Sequence, residues 1–167
     1  MENFLELCRS RRSIRKYTSQ KVEEEKLHRI LQCALMSPSG KRINPWQFFV
    51  VTDVERLRKL AACRTYGSGM FETAMAGVVV ALDSSLTDTW QMDGAIAAHN
   101  MLLAAADEGL GACWCQVYQR EGAEALVKEV VGVPDNLTVL CVVSLGYKDE
   151  ERKQYDLQKL QYDKVKN

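Results

Sequence analysis

Ala95-Ile96-Ala97-Ala98-His99-Asn100-Met101-Leu102-Leu103-Ala104-Ala105-Ala106 is the stretch on which the fold turns. Only His99 and Asn100 are polar in it, and no charge, glycine or proline interrupts it. Alanine, leucine and methionine favour helix. The run therefore predicts the body of a long helix, started by Thr87 or Asp88, reaching about Glu108 and ended by Gly109. A helix that is apolar on nearly every side must be covered on nearly every side. In a chain of 167 residues, such a helix lies at the centre of the fold or in an interface with a second copy.

Downstream of it, Ala112–Tyr118 reads as a strand, Glu121–Val131 as a helix and Leu137–Leu145 as a strand. Upstream, Gly77-Val78-Val79-Val80-Ala81-Leu82 lacks alternation, as expected of a strand buried on both faces. Phe48–Val51 is a further strand, and Asp53 caps a helix through Leu60. Leu27, Ile30, Leu31, Ala34 and Leu35 recur at helical spacing and mark the buried stripe of a helix over Val22–Met36. Asn3 can cap a short helix to Ser10, with Arg11–Lys16 as an exposed exit loop. The tail 148–167 is charged and carries no glycine or proline, yet it presents Tyr155, Leu157, Leu160, Tyr162 and Val165. Those side chains need a surface, which a partner subunit would supply.

The length fits one domain, able to bury about two-thirds of its unfolded surface. Twenty-two basic residues balance twenty-two acidic ones, which argues against a general nucleic-acid binder. The longest apolar runs are too short to span a bilayer. The acidic start Met1–Cys8 does not resemble a signal peptide, and the expected location is the cytoplasm. Six cysteines are scattered, and the spacing in Cys113-Trp114-Cys115 suits neither a redox CxxC motif nor a zinc site. No metal site is expected. His28 and His99 are too far apart in sequence to suggest a nucleophile–base pair.

Three segments carry candidate chemistry. Arg11, Arg12 and Arg15, with Ser13 among them, offer planar donors suited to a terminal phosphate; the plainer reading is a basic turn pairing with Glu23, Glu24 and Glu25. Ser37-Pro38-Ser39-Gly40-Lys41-Arg42-Ile43-Asn44-Pro45-Trp46 is stiffened by two prolines. Gly40 permits close approach of the backbone, and Ser39, Arg42 and Asn44 present polar groups; the plainer reading is a helix-to-strand connection. The third is Gly109-Leu110-Gly111-Ala112-Cys113-Trp114, whose strand ends in Cys115-Gln116-Val117 and could present backbone amides to a ligand. Together the first two suggest walls of a site for a flat, phosphorylated, polar-edged cofactor.

In order along the chain, Arg11-Arg12-Ser13-Ile14-Arg15-Lys16-Tyr17, Ser37-Pro38-Ser39 with Pro45-Trp46-Gln47-Phe48, Trp90–Ala95 leading to Asn100–Ala105, Gly109–Trp114 and Leu145-Gly146-Tyr147 resemble the FMN-dependent nitroreductase family, in its short form. The resemblance implies an α+β fold with a central mixed, mainly antiparallel sheet flanked by helices. It also implies an intertwined homodimer with FMN at the interface and exchanged tails. The implied activity is NAD(P)H oxidation through flavin N5, with hydride passed to nitroaromatics, quinones or similar acceptors in a ping-pong cycle; a flavin reductase or a non-catalytic FMN store are the alternatives. No protein side chain is expected to be catalytic.

By resemblance, Arg11, Arg12 and Ser13 grip the phosphate, and Arg15 sits near the flavin N1–O2 edge. Pro38, Ser39 and Gly40 lie over the ring, Cys115 and Gln116 bring a backbone amide towards N5, and Arg152 or Lys153 completes the phosphate site. The chain departs from the family where Arg42 stands at a common Asn position, so Asn44 or a backbone carbonyl is expected to accept from flavin N3. It also has Lys148 where proline often follows the tyrosine. Segment 64–75 is short, which implies an open site without the lid that the deiodinase branch needs.

Overall fold

Four strands form one sheet in the order β1-β2-β4-β3, and every pairing within it is antiparallel. The computed structural model describes residues 4–166, so the expected Asn3 cap lies outside the described residues. β2 (Ala76–Leu82) is buried at every position, and β4 (Thr138–Gly146) is buried from Val139 onwards. Their unalternating valine-rich sequences follow from having both faces covered. β1 (Trp46–Val51) and β3 (Gly111–Gln116) form the edges.

Two helical layers cover the sheet. On one face α2 (Glu24–Leu35) and α4 (Trp90–Asp107) bring Ile30, Ala34, Ala97, Ala98 and Met101 against Val78, Val80, Leu82 and Val143. On the other, α3 (Val54–Leu60) and α5 (Ala123–Val131) bring Leu57, Leu60 and Val127 against Val79, Val139 and Val142. The Asp53 carboxylate accepts the Arg56 N–H at 2.8 Å and caps α3 as expected. The short α1 (Phe4–Ser10) lies beside α4.

The central helix is covered on one side only. Gly94 lets it sit close to the sheet: a Cβ there would lie 2.7 Å from Leu140 Cδ2 and 2.8 Å from Leu82 Cδ1. The opposite face carries Met92 (62 % exposed), Ile96 (41 %) and the exposed His99 at helical spacing. All-round burial is therefore not achieved within one chain. Leu35, expected in the buried stripe of α2, is also exposed, as is the adjoining Met36. These side chains leave an uncovered apolar surface.

The arginine segment is not an exposed loop. It crosses one end of the sheet as a strap: Ser13 bridges Ala112 in parallel, and Tyr17 bridges Lys148 in antiparallel. Ile14 and Tyr17 are buried. The Tyr17 hydroxyl donates to the Ile14 carbonyl at 2.5 Å and hydrogen-bonds Ser144 Oγ at 2.7 Å. Gly111 and Gly146 make the room, since Cβ atoms there would meet Ile14 at 2.7 Å and Tyr17 at 2.9 Å. The first part of the tail lies on this same chain. Asp149 N–H donates to the Lys16 carbonyl at 3.0 Å, and Arg9 and Tyr155 exchange bonds at 3.0 and 3.1 Å. Farther on, Leu160, Tyr162 and Val165 remain exposed.

Candidate functional site

At the strap end, Arg11, Ser13 and Arg15 lie along the start of β3, where Ser13 bridges Ala112. Burial pushes the Cys113 thiol up, while Arg15, the Ser13 hydrogen bond and Arg11 act in the opposite direction. Among the described residues, the guanidinium groups of Arg11 and Arg15 make no hydrogen bond or ion pair, and their donors stand available to an anion. Arg12 is committed elsewhere. Its guanidinium donates to the Lys153 carbonyl and lies 4.6 Å from the Tyr155 ring centroid. It ties the strap to the tail. The expected pairing of the arginines with Glu23–Glu25 is not how these groups are arranged: Glu23 accepts from the Tyr147 hydroxyl at 2.8 and 2.9 Å.

An open groove of about 850 Å³ runs between strap and tail, lined by Arg12, Ile14, Glu150, Arg152 and Lys153 among others. Glu150 is the residue that sequence reasoning missed here. Its carboxylate accepts the Arg15 N–H at 2.5 Å and pairs with Arg152 at 2.6 Å. Burial opposes its charge, but the Arg15 N–H and the Arg152 guanidinium outweigh burial and hold the carboxyl below its usual range. No pattern distinguishes it from its neighbours Asp149 and Glu151. Arg152 is thus neutralised by an internal acid, and the exposed Lys153 contributes its carbonyl to Arg12.

The second loop lies at the other end of the sheet. It is folded tightly, with Lys41, Arg42 and Asn44 at φ of 52°, 59° and 51°. Such left-handed conformations are uncommon outside glycine and need external support. Asp93, in the first turns of α4, provides it: one carboxylate oxygen accepts the Gly40 N–H at 3.0 Å and the other accepts from Thr89 Oγ1 at 3.2 Å. Asp93 is 3 % exposed and is the second residue that sequence reasoning missed. Its signal was present, because it is the only charged side chain between Trp90 and Ala106, and a buried charge needs partners. Ser39 Oγ donates to Asn44 Oδ1 at 2.6 Å and accepts the Asn44 N–H at 3.0 Å. Pro38 and Arg42 are exposed, and Gly40 is half-buried.

β3 joins the two ends. The Ala112 carbonyl faces the strap, accepting Ile14 N–H at 3.0 Å, so by antiparallel alternation Trp114 and Gln116 also direct their backbone groups to the open edge. Cys115 directs its own towards β4, and its side chain is buried in the opposite core layer. Of the expected pair, only Gln116 offers its amide to the edge. The Gln116 side chain is fixed by Trp114 Nε1 at 2.9 Å and by the Tyr118 carbonyl at 3.0 Å.

The strap and the second loop are not neighbours. The loop is held at Asp93 and the strap at Ala112, just beyond the far end of α4. From Asp93 to Asp107 the helix rises roughly 21 Å at about 1.5 Å per residue. A single chain does not bring these two expected walls onto one small ligand.

Comparison with known proteins bears on this geometry. The Nitroreductase family model matches residues 8–65 and 64–147. An FMN-dependent nitroreductase from Clostridium difficile R20291 is similar in structure, with a TM-score of 0.94 and 41% identity over 98% of each chain. A protein from Archaeoglobus fulgidus, provisionally named NADH dehydrogenase/NAD(P)H nitroreductase, is 39% identical over 93% of this chain and 91% of its own. The NADPH:FMN oxidoreductase of Vibrio harveyi, solved with NAD+, gives a TM-score of 0.80 at 26% identity, covering 98% of this chain and 76% of that one.

Proposed function

The chain belongs to the nitroreductase family, and on that premise we propose that it is an FMN-dependent NAD(P)H oxidoreductase working as a homodimer. The observation that carries the cofactor reading is the set of uncommitted donors at the strap: Arg11 and Arg15, with Ser13 beside them. A guanidinium at Arg11 suits a phosphate and one at Arg15 suits the polar edge of a ring, and their position at the edge of β3 leaves the Gln116 amide farther along the same edge.

When bound, FMN supplies the hydride chemistry, and the protein supplies orientation and electrostatics. Arg11 and Ser13 hold the phosphate end. Arg15 favours negative charge at the polar edge of the ring. Arg12, engaged with Lys153 and Tyr155, holds the tail beside the groove. In the second loop, Ser39 already donates to the Asn44 side-chain oxygen, which fixes the orientation of that amide. Asn44 then presents the amide towards the ring, and the Arg42 guanidinium adds positive charge.

Because strap and second loop lie at opposite ends of one chain, the second loop of each subunit serves the strap of the other. The apolar face of Met92 and Ile96, with Leu35 and Met36 nearby, supplies the contact surface. The exposed Leu160, Tyr162 and Val165 reach the partner. Nitroaromatics, quinones and flavins are the expected acceptors, since the segment 64–75 is too short to form a selective lid.

The test is the visible spectrum of purified protein, recorded anaerobically before and after NADPH and then NADH. Flavin bands that bleach with nucleotide and return with a quinone support the enzyme. Bands that persist indicate a flavin store, and a protein that remains colourless after incubation with FMN removes the cofactor reading.

A further inference from the structure

A small cavity of about 230 Å³ opens at the far end of β3, lined by Arg64, Thr65, Tyr66, Arg120 and Glu121. The Arg64 guanidinium donates to the Gln116 carbonyl at 3.4 Å. Gln116 directs its backbone groups to the open edge of β3, so Arg64 stands on that edge, beside the amide left for a ring. Backbone bonds hold both walls. The buried Ser68 hydroxyl donates to the Ala61 and Arg64 carbonyls at 2.6 and 3.0 Å. Opposite, the Arg120 N–H donates to the Val117 carbonyl at 3.0 Å, and the Ala123 N–H donates to the Arg120 carbonyl at 3.1 Å.

The charges in this cavity are uncommitted. Among the described residues, the Arg120 guanidinium and the Glu121 carboxylate make no hydrogen bond or ion pair. Arg64 uses one donor on the long bond to Gln116 and keeps others free. Two guanidinium groups against one carboxylate leave the cavity net positive. Tyr66 is 84 % exposed and offers a flat face on which an aromatic ring can stack.

We propose that this cavity is a subsite for the carboxylate of an aromatic electron acceptor, clasped by Arg64 and Arg120 with the ring against Tyr66. The inference rests on the oxidoreductase reading, which puts the flavin ring at the open edge of β3. The planar fork of arginine matches a carboxylate in shape and charge. Volume decides against the adenosine phosphate of NADPH: pockets that enclose drug-sized ligands begin at about 300 Å³, and this one suits a single ring with its anionic group. The segment 64–75 is too short to enclose a substrate, so it selects by charge at the rim. Arg64 and Arg120 are thus specificity-determining residues.

The experiment compares kcat/KM for 4-nitrobenzoate and its uncharged counterpart 4-nitrobenzamide, using the flavin-loaded protein with NADH as reductant. The native protein should favour the carboxylate about tenfold or more, as charge-assisted hydrogen bonds do. The double variant R64Q/R120Q should bring the ratio close to unity, and either single variant should lower it if the double misfolds. E121Q should raise the ratio by removing a repelling carboxylate. Calorimetric titration of the same proteins with benzoate gives a readout independent of turnover, and R64Q and R120Q should each weaken binding. Equal native kcat/KM values for the two acceptors, or a ratio that both arginine variants leave intact, overturn the subsite. Variants that alter only the preference for NADPH over NADH assign the arginines to the reductant's phosphate and overturn the carboxylate assignment. If no acceptor is reduced, the titration decides: benzoate binding that the variants weaken keeps the subsite and removes the oxidoreductase reading alone, and no binding removes both.

Discussion

Single atoms decide how closely α4 approaches the sheet. A methyl group at Gly94 would lie within 3 Å of both Leu140 and Leu82, and neither can retreat from a filled core. Gly94→Ala is expected to destabilise the fold by about 1–3 kcal/mol, the usual range for overpacking; an unchanged urea midpoint would contradict the packing described. At the next residue back, Asp93→Ala removes the acceptor of the Gly40 N–H and of Thr89 Oγ1. The expected cost is about 1–3 kcal/mol for a stranded buried donor, measured by the same denaturation. Weakened FMN retention is expected as well, because the left-handed backbone at Lys41, Arg42 and Asn44 loses its support. Asp93 shows what sequence reading can and cannot reach. Its isolation in an apolar helix marks it as a residue that must have partners, but nothing local identifies Gly40, 53 positions away, as one of them.

Elements were legible where their pattern is repetitive and local. The valine run of β2, the Asp53 cap of α3 and the length of α4 follow from composition alone, and each is present. The strap was not legible, since its path depends on the missing side chains of Gly111 and Gly146 on other elements. The same is true of the join between α2 and α4. Arg29 pairs with Glu108, donating from Nη2 at 2.8 Å, and Lys26 Nζ donates to the Glu108 carbonyl at 2.7 Å. The Arg29 hydrogen bond holds the Glu108 carboxyl below its usual range. A carboxyl depressed in the folded state contributes stability above its unfolded pKa and loses it as pH falls through the folded value. The melting temperature should therefore fall more steeply below about pH 4 for the native chain than for Glu108→Gln, the unfolded reference being near 4.3. The difference should be small, because the Arg29 side chain is half exposed and the pair is screened by solvent; parallel acid limbs would refute the linkage. The tail provides the other element-scale test. Arg12→Ala removes both the Lys153 bond and the Tyr155 contact, and trypsin should release the tail several-fold faster than from the native chain.

At the scale of the molecule, the division of the proposed site between the two ends of α4 follows from the packing, whereas in the sequence only the family resemblance pointed to an interface. Sequence order places the strap and the second loop on either side of α2, which suggests proximity; antiparallel packing of α2 on α4 instead carries the chain from one end of the sheet to the other. The separation of about one helix length favours a site built by two copies, and subunit complementation can test this directly. Arg11→Ala damages the strap, while Ser39→Ala combined with Asn44→Ala damages the second loop. Each variant alone should retain little FMN. When the two are unfolded together and refolded as a mixture, about half of the dimers should be mixed, and each mixed dimer should contain one intact site, for symmetry reasons that hold for any twofold dimer. Retained flavin should then recover to about a quarter of the native level. If both walls belonged to one chain, every site in the mixture would carry a defect and no flavin would return. Adding Ile96→Glu to both variants should abolish the recovery by charging the uncovered face of α4, with monomers appearing in sedimentation; recovery that survives this change would place the subunit contact elsewhere.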